Sequence, residues 1–335
     1  MLRSLYAGIS GMKVNQTKLD IIANNIANVG TTAFKSSRIR FEDMVSQSMS
    51  QASASSTNTG GVNAKQVGLG VQVAGIDTMV GQGMMQPTSR NLDVAMDGEG
   101  YLIVAKGAIT GSVPVDATKH TTGSSAFDIS FTRDGALALD DAGHLLTSDG
   151  ERVLGYSIGT NATAADVSTT GSISYTAAGV LTTNFVDANA ATAPAAGSKL
   201  IPLSIPDTIG GKKVTTFSIE KDGVIKAVLD DGSVAAVGQV AMASFNNPAG
   251  LSKIGKNEYK NTSNSGVAVV RSGTGAAADN SKGYGDMLSG MLEMSNVDLS
   301  EQFTDMIVAS RAFQAMGKTI TTGDEILQDI IGLKR

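Results

Sequence analysis

The sequence predicts an α+β protein, with terminal α-helices that form a coiled-coil-like layer and two antiparallel β-rich domains between them, the second inserted in the first. Three observations predict it. Apolar residues recur at steps of three and four at both ends, which is the helical period. Short apolar runs broken by turn residues fill the middle. The texture changes from Ser157, where Thr160 to Pro194 is rich in Ala, Thr and Asn, and this marks the insertion.

Residues 1–35 read as the N-terminal helix and its turn. Leu2, Leu5, Ile9, Met12, Leu19 and Ile26 follow a heptad, with Gln16 and Ala23 in its remaining slots. Gly8, Ser10 and Gly11 lie inside the pattern, and Gly costs about 1 kcal/mol against Ala in a helix. Such a helix is marginal alone and needs a partner for its stripe. Asn24, Asn25 and Asn28 are expected to end the helix and shape a turn, because Asn tolerates left-handed backbone and bonds locally. Phe34 is expected to be a buried anchor after that turn, and Lys35 a solvated or subunit-facing charge.

Residues 36–70 read as an extended linker. Ser46 to Gln66 is dominated by Ser, Gln, Asn and Gly and has too few apolar residues for a core. A structureless run of that length is unusual in a compact domain, so the tract is expected to order on assembly.

Residues 71–156 and 238–285 read as one discontinuous β domain, and 157–237 as the inserted outer β domain. Asp134-Gly135, Asp149-Gly150, Asp222-Gly223 and Asp231-Gly232 supply hairpin turns. Asp-Gly favours type I′, in which both central residues take positive φ. Gly155-Tyr156 and Gly238 are expected to be short, compliant links between the two β domains.

Residues 286–335 read as the C-terminal helix. Leu299, Phe303, Met306, Phe313, Ile320, Leu327 and Ile331 share a heptad track that Ser310, Gly317 and Asp324 interrupt. Asp298 is placed to cap its start, with Glu301 completing a capping box. Lys334 and Arg335 end the chain where the helix dipole favours cations.

Composition excludes several functions. The chain carries 26 basic and 31 acidic residues, a net charge of −5, and no basic stripe, so no nucleic-acid partner is expected. No apolar stretch approaches the roughly 20 residues of a bilayer-spanning helix, so no membrane insertion is expected. Met1-Leu2-Arg3 runs straight into an amphipathic pattern, unlike a secretory signal. With no cysteine, no HExxH and only His120 and His144, a metal site is not expected. Gly98-Glu99-Gly100 lacks the third glycine of a dinucleotide loop, and no GxSxG elbow occurs. Asp140-Asp141 and Asp230-Asp231 read as turn residues. The expectation is therefore no catalytic residue, no cofactor and no enzyme. A secreted adhesin is the competing class: it would act as a monomer without its terminal helices. A polymer subunit trimmed of 286–335 would leave a β core unable to assemble.

The stretch Asp20 to Lys35, DIIANNIANVGTTAFK, resembles the N-terminal signature of the flagellar rod and hook axial family. Gly83 to Val104, then Phe131 to Gly135 with Gly143 to Leu146, then Gly238 to Leu251, resemble that family's middle blocks. Gly290 to Leu299 and Met306 through Leu327 resemble its C-terminal signature. The blocks follow family order. Asn24, Asn25, Asn28, Thr31, Phe34, Lys35, Glu293, Ser295 and Asn296 are the signature residues. The resemblance implies a helical homopolymer in which the apolar positions of both terminal helices form an inner subunit interface. It also implies export by the flagellar type III apparatus without a cleaved signal peptide, to the hook or basal body outside the cell. The implied partners are a distal rod protein, a hook cap protein and a hook-filament junction protein. The extra segment 157–237 and the run Phe313 to Ile320 resemble hook rather than distal rod subunits, with distal rod as the alternative.

Overall fold

The computed structural model describes residues 2–55, 60–116, 119–123, 127–159, 172–176, 179–188, 195–270 and 285–333. The chain folds as two units. The first comprises Met1–Gly30, Lys35–Met79 and Val297–Arg335, and the second Thr31–Phe34 and Val80–Asn296.

The first unit contains helix α1 (Leu2–Ala27), strands β1 (Ser37–Asp43), β2 (Ser46–Ser50), β3 (Lys65–Gly68) and β4 (Val71–Thr78), and helix α2 (Leu299–Gly332). The α2 start follows its sequence signal: Asp298 Oδ1 accepts from Ser300 N at 2.8 Å and from Glu301 N at 3.3 Å. The first part of the segment assigned to this helix, 286–298, is not helical, because residues Asp286–Ser289 and Met291–Glu293 form strands of the second unit. Lys334 and Arg335 lie outside the described residues.

The expected linker is a ladder. β1 pairs antiparallel with β4, and β2 with β3, extended by a bridge between Ser53 and Val62. Every described residue from Phe41 to Gly68 is exposed. The strands form without a core because the backbone pairs; the Ser- and Gln-rich side chains add no apolar burial. Residues 71–78 accordingly belong to the first unit as β4, not to the β domain assigned from the sequence.

In the second unit a continuous antiparallel path runs through strands Thr208–Ile209, Lys212–Ile219, Val224–Leu229, Val234–Val240, Arg152–Gly159, Tyr101–Lys106, Asp128–Thr132, Glu258–Lys260 and Ser252–Gly255. Alternation along Tyr101–Lys106 sends Tyr101 and Ile103 into one core and Leu102 and Val104 into another. Both faces are covered, which is why this strand reads as an unbroken apolar run. Six of the chain's fifteen aromatics share one core, where Phe131 meets Phe245 edge-on at 4.8 Å and Tyr101 meets Tyr259 at 5.7 Å.

The boundary expected at 157 falls inside the strand Arg152–Gly159. That strand pairs with Tyr101–Lys106 at one end and with Val234–Val240 at the other. Ile173, Leu203 and Ile225 then share one core with Met96, Leu102 and Val153. Among the described residues, 157–237 therefore does not separate as a domain. Gly155 and Gly238 are not links either. A Cβ on Gly155 would stand 2.2 Å from Gln239 O and 2.5 Å from Leu203 Cδ1, and one on Gly238 2.8 Å from Leu203 Cδ2. Both glycines let neighbouring backbone and Leu203 pack closely.

Three of the four Asp-Gly pairs do turn hairpins, by a different geometry. Only the glycine is left-handed, at φ +79° in Gly150, +81° in Gly223 and +80° in Gly232. Gly232 N donates to Leu229 O at 3.0 Å and Leu229 N to Ser233 O at 2.9 Å, a type I turn closed by a one-residue bulge. A type I′ turn occurs instead at Lys256-Asn257, with φ of 54° and 60°, between Gly255 and Glu258.

Candidate assembly interface

The two terminal helices pack antiparallel. A Cβ on Gly8 would stand 3.2 Å from Ile320 Cγ1, one on Gly11 3.3 Å from Met316 Sδ, and one on Gly323 2.9 Å from Leu5 Cδ2. Lys18 Nζ meets Asp305 Oδ1 at 3.2 Å. Asn25 Nδ2 donates to Gln302 Oε1 at 3.0 Å. The glycines that weaken α1 as an isolated helix thus bring the two backbones close over this length.

The face that packs contains only part of the heptad stripe, Leu5 and Ile320 among it. Gly8, Gly11, Val14, Ile22 and Asn25 are the buried positions of α1, and Ala309 and Gly323 those of α2. Of the expected stripe, Leu5, Met12, Leu19, Ile26, Met306, Phe313, Ile320 and Leu327 are half-buried. Ile9, Leu299, Phe303 and Ile331 are exposed. Leu2 lies in α1, but its side chain is outside the described set. A straight helix drifts about 20° per heptad against a 7-residue repeat, so one heptad track cannot hold one face over eight turns. The sequence reading missed Tyr6, Ile307, Val308, Ile326, Ile330 and Leu333, all exposed apolar side chains on these helices. Scanning at 3.6 residues per turn, and not by heptads, would have separated them from the packed face.

The signature residues are structural ties. Asn25 is 1% exposed; its Nδ2 donates to Ser37 O at 2.9 Å and its Oδ1 accepts from Ser37 N at 3.0 Å, clamping the chain that leaves the helix. Asn28 Nδ2 donates to Asn24 O at 2.9 Å and to Asn24 Oδ1 at 3.0 Å. The Asn cluster thus closes the helix end, as its chemistry predicts. Thr31 O accepts from Phe34 N at 3.4 Å, and Ala33 takes φ +54°. Phe34 is buried, with the Lys253 ammonium 5.1 Å from its ring centroid. Lys35 is not solvated; it is 1% exposed. Ser295 is half-buried.

Glu293 joins distant segments of the second unit. Its Oε2 accepts from Arg133 Nε at 2.9 Å, its Oε1 from Gly83 N at 2.8 Å, and its carbonyl oxygen from Ala33 N at 2.8 Å. Asn296 N donates to Phe34 O at 3.3 Å, and Asn296 Nδ2 to Gly81 O at 3.2 Å. Arg133 also donates from Nη2 to Gly98 O at 2.8 Å and lies 5.8 Å from the Tyr101 ring centroid. Burial pushes the Tyr101 phenol up to about 12, against the lowering field of Arg133.

A cleft of about 350 Å³ opens beside this network, lined by Gln82, Gly98, Glu99, Tyr101, Arg133 and Phe245 among others. Its charged walls are Glu99 and Arg133, and Arg133 is already committed to Glu293. That is no acid–base pair poised on a substrate. Among the described residues no cluster of three or more His, Cys, Asp or Glu could hold a metal, and no helix is long and apolar enough to cross a membrane.

Residues 5–35 match the family described as flagella basal body rod protein, residues 121–175 the flagellar hook protein FlgE/F/G D1 domain, and residues 288–333 the flagellar basal body rod FlgEFG protein C-terminal family. The chain is 40% identical to the flagellar basal-body rod protein FlgG of Bacillus subtilis, covering 100% of each chain. It is 32% identical to the flagellar hook protein FlgE of Borreliella burgdorferi, again covering 100% of each. The solved Helicobacter pylori hook protein FlgE2 is similar at a TM-score of 0.40 and 11% identity, over 62% of this chain and 100% of that one, too loose a likeness to argue from. Matched end to end by named rod and hook subunits, and at both terminal segments by the family's own domains, the chain belongs to the flagellar rod and hook axial proteins, structural components of the flagellum.

Proposed function

We propose that this chain polymerises into the flagellar hook, a flexible tubular joint that passes torque from rod to filament. The observation that carries polymerisation is the apolar surface remaining once α1 and α2 have packed together. Tyr6 is 68% exposed and Ile307 63%, alongside Ile9, Phe303, Val308 and Ile330. An amphipathic helix serving only its own core turns such residues inward; stripes of apolar surface left outside mark an interface. In this reading the stripe expected from the sequence, from Leu2 to Ile26 and from Leu299 to Ile331, is the inner wall of the tube.

The chain reaches its place through the flagellar type III apparatus without a cleaved signal peptide, and lies outside the cell. It meets the distal rod protein on one side and the hook-filament junction protein on the other, and adds under the hook cap protein. The run Phe313 to Ile320, which resembles hook subunits, supports hook; the strands of 157–237 do not discriminate, because a rod relative matches them as well. A second reading, distal rod, is favoured by the 40% identity to a relative named as a rod protein.

Electron micrographs of basal bodies from a deletion strain test the choice. A complete rod without a hook supports the proposal; a truncated rod overturns it in favour of the second reading. For polymerisation itself, the trimmed chain should end at Asn296, so that Glu293 stays with its unit. The full chain is expected to sediment as polymer and the trimmed chain to remain folded and monomeric. Assembly of the trimmed chain would overturn the role given to the helices.

A further inference from the structure

Helix α2 has three apolar faces, and α1 covers one. Gln302, Ala309, Met316, Ile320 and Gly323 look towards α1. At about 100° per residue, Leu299, Phe303 and Ile307 form a stripe roughly 120° round the helix from that face, and all three are exposed. Past Ser310 the same flank turns polar, with Gln314, Thr321, Glu325 and Gln328. On the opposite flank, roughly 90° from the α1 face, the exposed residues Val308, Ile326, Ile330 and Leu333 form a second stripe. Ahead of Val308 that flank holds Glu301 and Thr304.

The stripes are therefore staggered, each apolar mainly where the other is polar. They also share a spacing. Leu299 and Phe303 stand four residues apart, as Ile326 and Ile330 do. We propose that the first stripe of one copy docks against the second stripe of the next, with the two α2 helices parallel and displaced by about 40 Å, the length of roughly 27 helical residues. Leu299 then meets Ile326, and Phe303 meets Ile330.

A second copy is the occupant that fits. What covers the first stripe must itself present a short apolar stripe of matching step on a helix that is polar just beyond it. The chain's own second stripe has that form. Pairing like with like would close a two-fold dimer and leave the other stripe bare; pairing unlike stripes leaves one stripe open at each end, so addition continues. This inference rests on the polymer reading above and adds which surfaces meet.

The absence of cysteine makes a clean test possible. Full-length Phe303→Cys and Ile330→Cys proteins are assembled, singly and mixed, and treated with a short bismaleimide. Neither alone is expected to cross-link. The mixture is expected to give covalent dimers, and a chain carrying both substitutions a ladder of multimers. Leu299→Cys with Ile326→Cys repeats the test should either first variant fail to assemble. Homodimers from one variant alone, or polymer whose mixtures give no cross-link in both pairs, overturn the docking while leaving the polymer reading intact. Failure of the unsubstituted chain to sediment as polymer would sink both.

Discussion

Arg133 Nε donates to Glu293 Oε2 at 2.9 Å, with the two side chains 3% and 0% exposed, across 160 residues of sequence. Removing one partner of such a pair leaves an uncompensated buried charge, which costs about 3–5 kcal/mol. Glu293→Ala also strips Gly83 N of its acceptor. We expect it to lower the unfolding free energy by an amount in that range, read as a lower urea midpoint, and Arg133→Met combined with Glu293→Leu to recover part of the loss. An unchanged midpoint in the single variant would refute the tie.

Gly8 separates helix propensity from helix packing. A Cβ there stands 3.2 Å from Ile320 Cγ1, so Ile320 must give by a few tenths of an ångström. Ala favours the helix by about 1 kcal/mol over Gly. Gly8→Ala is therefore expected to be nearly neutral and to assemble. Gly8→Leu has no room, and is expected to abolish sedimenting polymer while moving the unfolding of the second unit by less than about 0.5 kcal/mol. Normal assembly of the Leu variant would show that α1 and α2 do not pack this way in the polymer.

His144 gives the second unit a sensitivity to acid. Its ring is buried, with Nδ1 3.2 Å from the Tyr175 hydroxyl, which itself donates to Pro202 O at 2.9 Å. Tyr175 therefore accepts from Nδ1–H. Burial lowers the imidazole below its ordinary 6.5; Asp140 opposes and Arg152 adds to the shift. As pH falls, the unfolded chain takes the proton first, so stability is full above about 6.5 and declines below it. His144→Gln, followed by urea unfolding between pH 5 and 7.5, is expected to flatten that slope. An equal slope in the variant would assign it to other groups.

Deleting 157–237 is expected to unfold the second unit, not to soften a polymer that still forms. The deletion removes Ile173, Leu203 and Ile225 from the core they share with Met96, Leu102 and Val153. Loss of several such residues exceeds the whole stability of a typical domain, about 5–15 kcal/mol. The near-ultraviolet circular dichroism of Tyr101, Phe131 and Tyr259 should vanish. A retained cooperative transition would mean that 157–237 is a separable domain after all.

What the sequence determined by itself was local. The two helices, the Asp298 cap, the helix end at Asn24 to Asn28 and the positions of most hairpins follow from interactions within about four residues, and periodicity and turn chemistry report those directly. The terminal blocks also carried the family. Tertiary structure decided the rest. Which stripe of α1 packs depends on where Gly8, Gly11 and Gly323 let two helices approach, and a heptad count has no knowledge of the partner. Lys35 is charged and follows a turn, which reads as solvent; only the fold buries it. Residues 157–237 look foreign in composition, yet the strand Arg152–Gly159 serves both sides of that boundary, so they share a core with what flanks them. Strand pairing, core sharing and the Arg133–Glu293 tie join residues tens to hundreds of positions apart, and local spacing carries no record of such partners.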